Sequence, residues 1–127
     1  MARVTGIGGV FHRARDPEGL ARWYEEVLGV PVDEEGYNVF WWGEGTADPI
    51  GTTTFHLMAD DDEYFGDSPS TAMINFRVDD LDGMIDQLRY AGARIDDDIE
   101  EHDYGRFAWA HDPEGNRIEL WEPAPGN

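Results

Sequence analysis

Cysteine is absent from the 127 residues, and so is lysine. Without cysteine there is no disulfide, no thiolate nucleophile and no Cys-type zinc site. Without lysine all nine basic side chains are arginines, set against 28 Asp plus Glu for a net charge of −19. Such a chain repels polyanions, so neither nucleic acid nor an anionic membrane is expected as a partner. No stretch approaches the ~18 apolar residues of a transmembrane helix. The N-terminus lacks a basic-then-apolar signal, so a cytoplasmic protein is expected. What the chain does have is acid and aromatics. Five Trp, five Tyr and six Phe in a 40% hydrophobic sequence predict a packed single domain over residues 1–127. The runs Asp60-Asp61-Asp62 and Asp96-Asp97-Asp98 read as solvated surface. An acid-rich, lysine-free exterior suits a halophilic, salt-filled cytoplasm, where self-repulsion is screened; a GC-rich genome, favouring Arg over Lys codons, gives the same bias.

One pattern occurs twice. In RARDPEGLARWYEEVLGVPV, Asp16 precedes Pro17, an N-cap followed by proline at the first helical position. Leu20, Trp23, Tyr24, Val27 and Leu28 follow at helical spacing, and Gly29 ends the run. In RVDDLDGMIDQLRYAGARI, Asp80 caps, Leu81, Met84, Ile85 and Leu88 form the stripe, and Gly92 stops it. Strand-like segments surround both helices: 6–14, 30–33, 37–42 and 52–58 in the first half, and 72–78, 93–96, 106–111 and 116–121 in the second. Gly36, Gly43-Glu44-Gly45 and Asp112-Pro113-Glu114-Gly115-Asn116 punctuate them. The expected fold is α+β: two tandem βαβββ modules, about 4–60 and 70–122, forming a half-open curved mixed sheet. One sheet face carries the helices and the other curls into a cup.

His56 in FHLM and Glu119 in IELW occupy the same place in the two modules, one repeat apart. Strand alternation then sorts the cup-facing side chains. Residues 9, 11, 13, 73, 75 and 77 share one phase, and residues 54, 56, 58, 117, 119 and 121 the other. This gives Phe11, Met58, Met73 and Trp121, with Trp42, as apolar and aromatic walls, and Asn75, Arg13, Arg77 and Arg117 as polar groups. Such a lining is usual for a small-molecule site. The three arginines suit an anionic ligand and the aromatic walls a flat one. His12 falls under the helices, and His102 and His111, in or beside turns, read as surface.

The markers RDPEGLARWYEEVLGV, INFRVDDLDGMIDQLRYAG and DPEGNRIELWEP, in this order and over nearly the whole chain, resemble the vicinal-oxygen-chelate superfamily of glyoxalases, bleomycin-resistance proteins and extradiol dioxygenases. The resemblance implies a cup with four symmetric metal-ligand positions. In this sequence they fall on Gly9, His56, Met73 and Glu119, so only His56 and Glu119 match. Glycine offers no donor and a thioether suits Mg²⁺, Mn²⁺ or Zn²⁺ poorly. No tightly bound cofactor is expected, at most a weakly held divalent metal on His56 and Glu119. The resemblance implies a small-molecule-processing enzyme of lyase, isomerase or dioxygenase type with a degenerate metal site. The alternative is a non-catalytic protein that binds or sequesters small molecules. A directly paired His56 and Glu119 would raise the His pKa, lower the Glu pKa and serve acid–base chemistry, or tune the pocket without catalysing anything. A homodimer is expected.

Overall fold

In the computed structural model, which describes residues 1–43 and 51–127, both aspartate caps form. The Asp16 carboxylate accepts the Gly19 N–H at 3.1 Å, and the Asp80 carboxylate accepts that of Gly83 at 3.1 Å. Pro17 opens helix α1, Pro17–Leu28, at a position whose N–H has no intrahelical partner anyway. Gly29 closes it in the left-handed conformation, at φ 69°. Helix α2, Leu81–Tyr90, ends before Gly92, whose φ is 79°.

The strands are β1 Val4–Ala14, β2 Tyr37–Trp41, β3 Thr52–Ala59, β4 Ala72–Val78, β5 Arg94–Ile95, β6 Glu100–His102, β7 Gly105–His111 and β8 Arg117–Pro123. They make one mixed sheet in the order β2-β3-β1-β4-β8-β7-β5, with β6 paired to β7. β1 and β4 meet antiparallel at the centre. Outward from each lies a parallel partner, β3 or β8, and then an antiparallel one, β2 or β7. Three strands out from the centre the order is the same in both directions, while β5 and β6 have no counterpart among the described residues of the first half. This is the α+β half-open cup that the repeat predicted.

Two details depart from expectation. Residues 30–33 form no strand, because their backbone is already engaged. The Val30 N–H closes α1 on the Tyr24 carbonyl, Pro31 has no N–H, and Asp33 builds a turn. In the other half of the sheet β6, unassigned from sequence, pairs with β7. The turn at Asp33 has a twin. Asp33 Oδ1 accepts from the Glu35 and Tyr37 N–H groups, both at 2.9 Å, with Gly36 at φ 92°. Asp112 Oδ1 accepts from Glu114 and Asn116, both at 2.9 Å, with Gly115 at φ 85°. Glycine suits both positions because other side chains are strained there. The second turn sets the β7–β8 register that places Trp109 opposite Glu119. Of the Gly43-Glu44-Gly45 turn, Gly43 sits at φ 69°, and Glu44 and Gly45 lie outside the described residues.

The core is divided between the two sheet faces. Under α2, Leu81 and Ile85 pack with Val78, Ala108 and Leu120. On the concave face Phe11, Met58, Met73 and Trp109 pack around Phe65, which is fully buried. Phe65 belongs to a single 3-10 turn, Glu63–Phe65, that folds over part of the cup. Helix α1 differs: among the described residues none of its side chains is buried, and Trp23, Val27 and Leu28 are about half exposed.

Candidate functional site

The strand register fixes which side chains share the concave face. Thr54, Gly9, Asn75 and Glu119 align across β3, β1, β4 and β8, and Trp109 continues the row on β7. The neighbouring row runs through Tyr37, His56, Phe11 and Met73. His56 and Glu119 therefore face the same side. They are also three strand spacings apart, roughly 14 Å along a flat sheet. The rings of Phe11 and Tyr64 lie between them: Phe11 sits 5.9 Å from His56 and 5.7 Å from Tyr64, and the Tyr64 hydroxyl donates to Glu119.

Glu119 is the floor of the site, 1% exposed. Oε1 accepts from Asn75 Nδ2 at 2.6 Å; Oε2 accepts from Trp109 Nε1 at 2.9 Å and from Tyr64. Burial pushes its carboxyl above the usual range, against the pull of these three donors and of the Arg117 charge. Burial and the adjacent Glu119 charge likewise raise the Tyr64 phenol. His56 stacks on Tyr37 with ring centroids 3.6 Å apart, and burial lowers its pKa, opposed by the backbone of Gly36. Both directions are opposite to those of a His–Glu pair, because each group is desolvated away from the other.

Above this floor opens a cavity of about 510 Å³. Phe11, Met58, Asn75, Trp121 and Glu119 line it, as alternation suggested, and so do Tyr37, Tyr64, Tyr104, Phe107 and Trp109. Phe107 stacks on Trp121 at 5.8 Å with the rings 5° from parallel, and His102 stacks on Tyr104 at 5.0 Å. His102 thus joins the lining instead of pointing away from it. A second cavity of about 480 Å³ adjoins, sharing Tyr64, Glu100 and Trp109 and bordered by Asp62, Glu63, Asp96 and Asp98.

The remaining candidates are engaged elsewhere. Arg13 donates to the Ser68 and Ser70 carbonyls, both at 3.2 Å, and lies over the Phe65 ring. Arg77 is sandwiched between Trp42 and Trp121, 5.0 and 4.8 Å from their rings, and donates to the carbonyls of Thr52 and Asn127. Burial lowers its pKa. Trp42 itself is outside the cavity lining; it donates to Thr53 Oγ1 at 2.8 Å and fills the space over Gly6 and Gly51. Arg117 donates to the Tyr64 carbonyl and to Asp96 at 2.7 Å. Met73, 1% exposed, belongs to the packed cluster around Phe65.

Two surface expectations need correction. His111 is buried, its Nε2 3.2 Å from Asp96 Oδ1. Asp96 is the shared partner of His111 and Arg117. Burial acts to raise its pKa, and the two hydrogen bonds and charges outweigh it to give a net lowering. Asp60 to Asp62 are exposed, as read.

The four symmetric positions do not suit a metal. Gly9 has no donor, and the Met73 sulfur is enclosed in an apolar cluster. Both Glu119 oxygens already accept from protein groups. Among the described residues no group of three His, Cys, Asp or Glu is placed to hold a metal ion.

A model of the Glyoxalase/Bleomycin resistance protein/Dioxygenase superfamily matches residues 6–120. The chain belongs to this superfamily. A methylmalonyl-CoA epimerase from Mycobacterium tuberculosis is 28% identical, covering 96% of this chain and 90% of that one, with a TM-score of 0.64. A variant Streptomyces coelicolor methylmalonyl-CoA epimerase in complex with 2-nitronate-propionyl-CoA is 18% identical, covering 96% and 99%, with a TM-score of 0.68. A Legionella pneumophila structure described as an NAD-dependent benzaldehyde dehydrogenase is 15% identical, covering 91% and 98%, with a TM-score of 0.60. At such identities the last two share the fold alone. No curated protein matches the chain. Among the described residues no helix is long and apolar enough to cross a membrane.

Sequence reasoning missed more than half the lining. Phe107 and Trp109 were legible: they alternate in phase with Trp121 and Glu119 across the Asp112 turn. Tyr64 carried no periodic signal, because it sits in an acidic segment folded over the cup by a single turn.

Proposed function

We propose that this protein binds a small organic molecule in its aromatic cup and does not turn it over through a metal. One observation carries the reading: the carboxylate on the cup floor, Glu119, already accepts from Tyr64, Asn75 and Trp109 in a site whose other ligand positions include Gly9 and Met73. A carboxylate has about four acceptor sites. Three are in use, so Glu119 orders the floor and holds two aromatic walls in place. The walls themselves supply the large, rigid apolar surface on which small molecules bind.

A second reading, isomerase-type proton transfer, draws on the 28% identity to an epimerase and on the raised carboxyl of Glu119. It needs an acceptor facing the ligand, and it predicts that Glu119→Gln abolishes turnover while sparing binding. The exposed apolar side chains Trp23, Val27 and Leu28 on α1, and Val39, Phe40 and Trp41 on β2, support the expectation of a homodimer. Light scattering in high salt tests it.

The binding reading is tested by NMR titration of the protein with a panel of flat bicyclic compounds. Shifts should concentrate at Phe107, Trp109 and Trp121 and be weakened by Phe107→Ala. Shifts dispersed over the surface, unaffected by that substitution, would refute it.

A further inference from the structure

Among the described residues of the cup lining, Tyr64 alone comes from the segment that joins the two modules. It also lines the adjoining cavity, a double position it shares with Glu100 and Trp109. These three residues are not alike. Glu100 is an exposed residue of β6. Trp109 is buried in β7, its indole N–H spent on Glu119. The Tyr64 ring stands edge-on between Phe11 and Trp109, with ring centroids 5.7 and 6.1 Å away, and its hydroxyl donates to Glu119. Its backbone is pinned. The Tyr64 N–H donates to the Asp62 carboxylate at 2.9 Å, its carbonyl accepts from Arg117, and the next side chain, Phe65, is fully buried. The joining segment is also fastened without the ring: Arg94 donates to Asp67 at 3.0 Å, Ser70 to Asn116 at 2.8 Å and Arg13 to the Ser68 carbonyl at 3.2 Å. One side chain on a fixed backbone therefore stands where the two cavities meet. Their chemistry differs. On the cup side Phe11, Met58 and Phe107 offer apolar surface. On the far side Asp62, Glu63, Asp98 and Glu100 offer carboxylates, which when ionised only accept hydrogen bonds.

Resting on the binding reading above, we propose that Tyr64 is the specificity-determining residue of the cup. Its ring confines a ligand to the apolar chamber and keeps a hydroxyl-bearing arm out of the carboxylate chamber behind it. Shortening the side chain joins the two chambers. The preferred ligand then changes from a bare aromatic to an aromatic that carries a polyhydroxyl arm.

The experiment uses two neutral probes with one aromatic body, naphthol and naphthyl glucoside. Each is titrated calorimetrically into the full chain as wild type, Tyr64→Phe, Tyr64→Ala and Tyr64→Leu. The wild type should bind naphthol at least as tightly as the glucoside, whose sugar stays in solvent. Tyr64→Phe keeps the ring and should keep that ratio. Tyr64→Ala should shift the ratio about tenfold toward the glucoside, as hydrogen bonds from sugar hydroxyls to carboxylates imply. Tyr64→Leu keeps apolar packing against Phe11 and Trp109, should shift the ratio in the same direction, and decides the matter if the alanine variant does not fold. A role in folding alone would lower the unfolding midpoint and leave the ratio unmoved. The proposal is overturned if the ratio is the same in every variant, if the wild type prefers the glucoside, or if Tyr64→Phe shifts the ratio as far as Tyr64→Ala. If neither probe binds any of these proteins, the binding reading itself fails and the inference falls with it.

Discussion

Glu119 is the residue on which the site turns, and two substitutions separate its hydrogen-bonding role from its charge. Glu119→Leu keeps the volume and removes the acceptor. The Asn75 amide, the Trp109 indole N–H and the Tyr64 hydroxyl then lose their partner in a site only 1% exposed. A buried donor left unmatched costs about 1–3 kcal/mol. Tyr64 borders the cavity and can turn to water, and the leucine spares the desolvation of a carboxylate, so the net loss is about 2–4 kcal/mol. For a domain of this size that lowers the unfolding midpoint by roughly 10 °C. Glu119→Gln behaves differently. Asn75 Oδ1 is buried with no partner. If the Asn75 amide turns over, it accepts from the new side-chain amide, whose carbonyl accepts from Tyr64 and Trp109. The cost is then within about 1 kcal/mol. The charge appears in the pH dependence. Burial holds the Glu119 pKa above its unfolded value of about 4.3. Over the window from there up to the folded pKa the native state binds more protons, so wild-type stability falls as pH rises. Glu119→Gln lacks this loss, and its stability relative to wild type should climb with pH through the same window. Urea unfolding of all three proteins from acid to neutral pH measures both effects. A leucine variant as stable as the glutamine variant, or a glutamine-minus-wild-type difference that shrinks with rising pH, refutes the reasoning.

Two further perturbations test other joints. His56, its pKa lowered by burial, stays neutral in the fold while the unfolded chain takes up a proton below about pH 6.5. The stability it confers is complete above that pH and is lost as pH falls through the folded pKa, so His56→Phe, which keeps the ring stack on Tyr37, should make unfolding midpoints at pH 7 and pH 5.5 differ less than in wild type. Gly36→Ala places a Cβ 2.5 Å from the Leu57 carbonyl at φ 92° and should cost about 1–3 kcal/mol, whereas Gly29→Ala, with open space around it, should cost only the left-handed strain of about 1–2 kcal/mol in thermal melts.

The fold was legible because it is written twice in local chemistry. Asp16-Pro17 with Gly29, and Asp80 with Gly92, bracket two helices at nearly one repeat, and period-two strands surround them. Where backbone hydrogen bonds had a competing use the reading failed: Val30 to Asp33 look like a strand but are spent on a helix end and a turn. Part of the site was legible by strand phase, which placed Phe11, Asn75, Glu119 and Trp121 on one face. Phase says which way a side chain leaves the sheet and nothing of what meets it there. It could not show that Arg13 and Arg117 reach backbone carbonyls, that Phe65 fills part of the cup, or that Tyr64 arrives from a non-repeating turn to take a lone pair of Glu119. Burial overturned the surface reading of His111, and Asp96 is half-buried between His111 and Arg117.

If the cup binds its ligand through aromatic walls and a hydrogen-bonded carboxylate floor with no metal taking part, its affinity is indifferent to divalent metal. Calorimetric titration of a naphthyl ligand into protein as purified, into protein treated with excess chelator, and into chelated protein resupplied with Mg²⁺, Mn²⁺ or Zn²⁺ tests it most directly. The account predicts one ligand per chain with the same affinity in all three. Binding that vanishes with the chelator and returns with a divalent metal would contradict it.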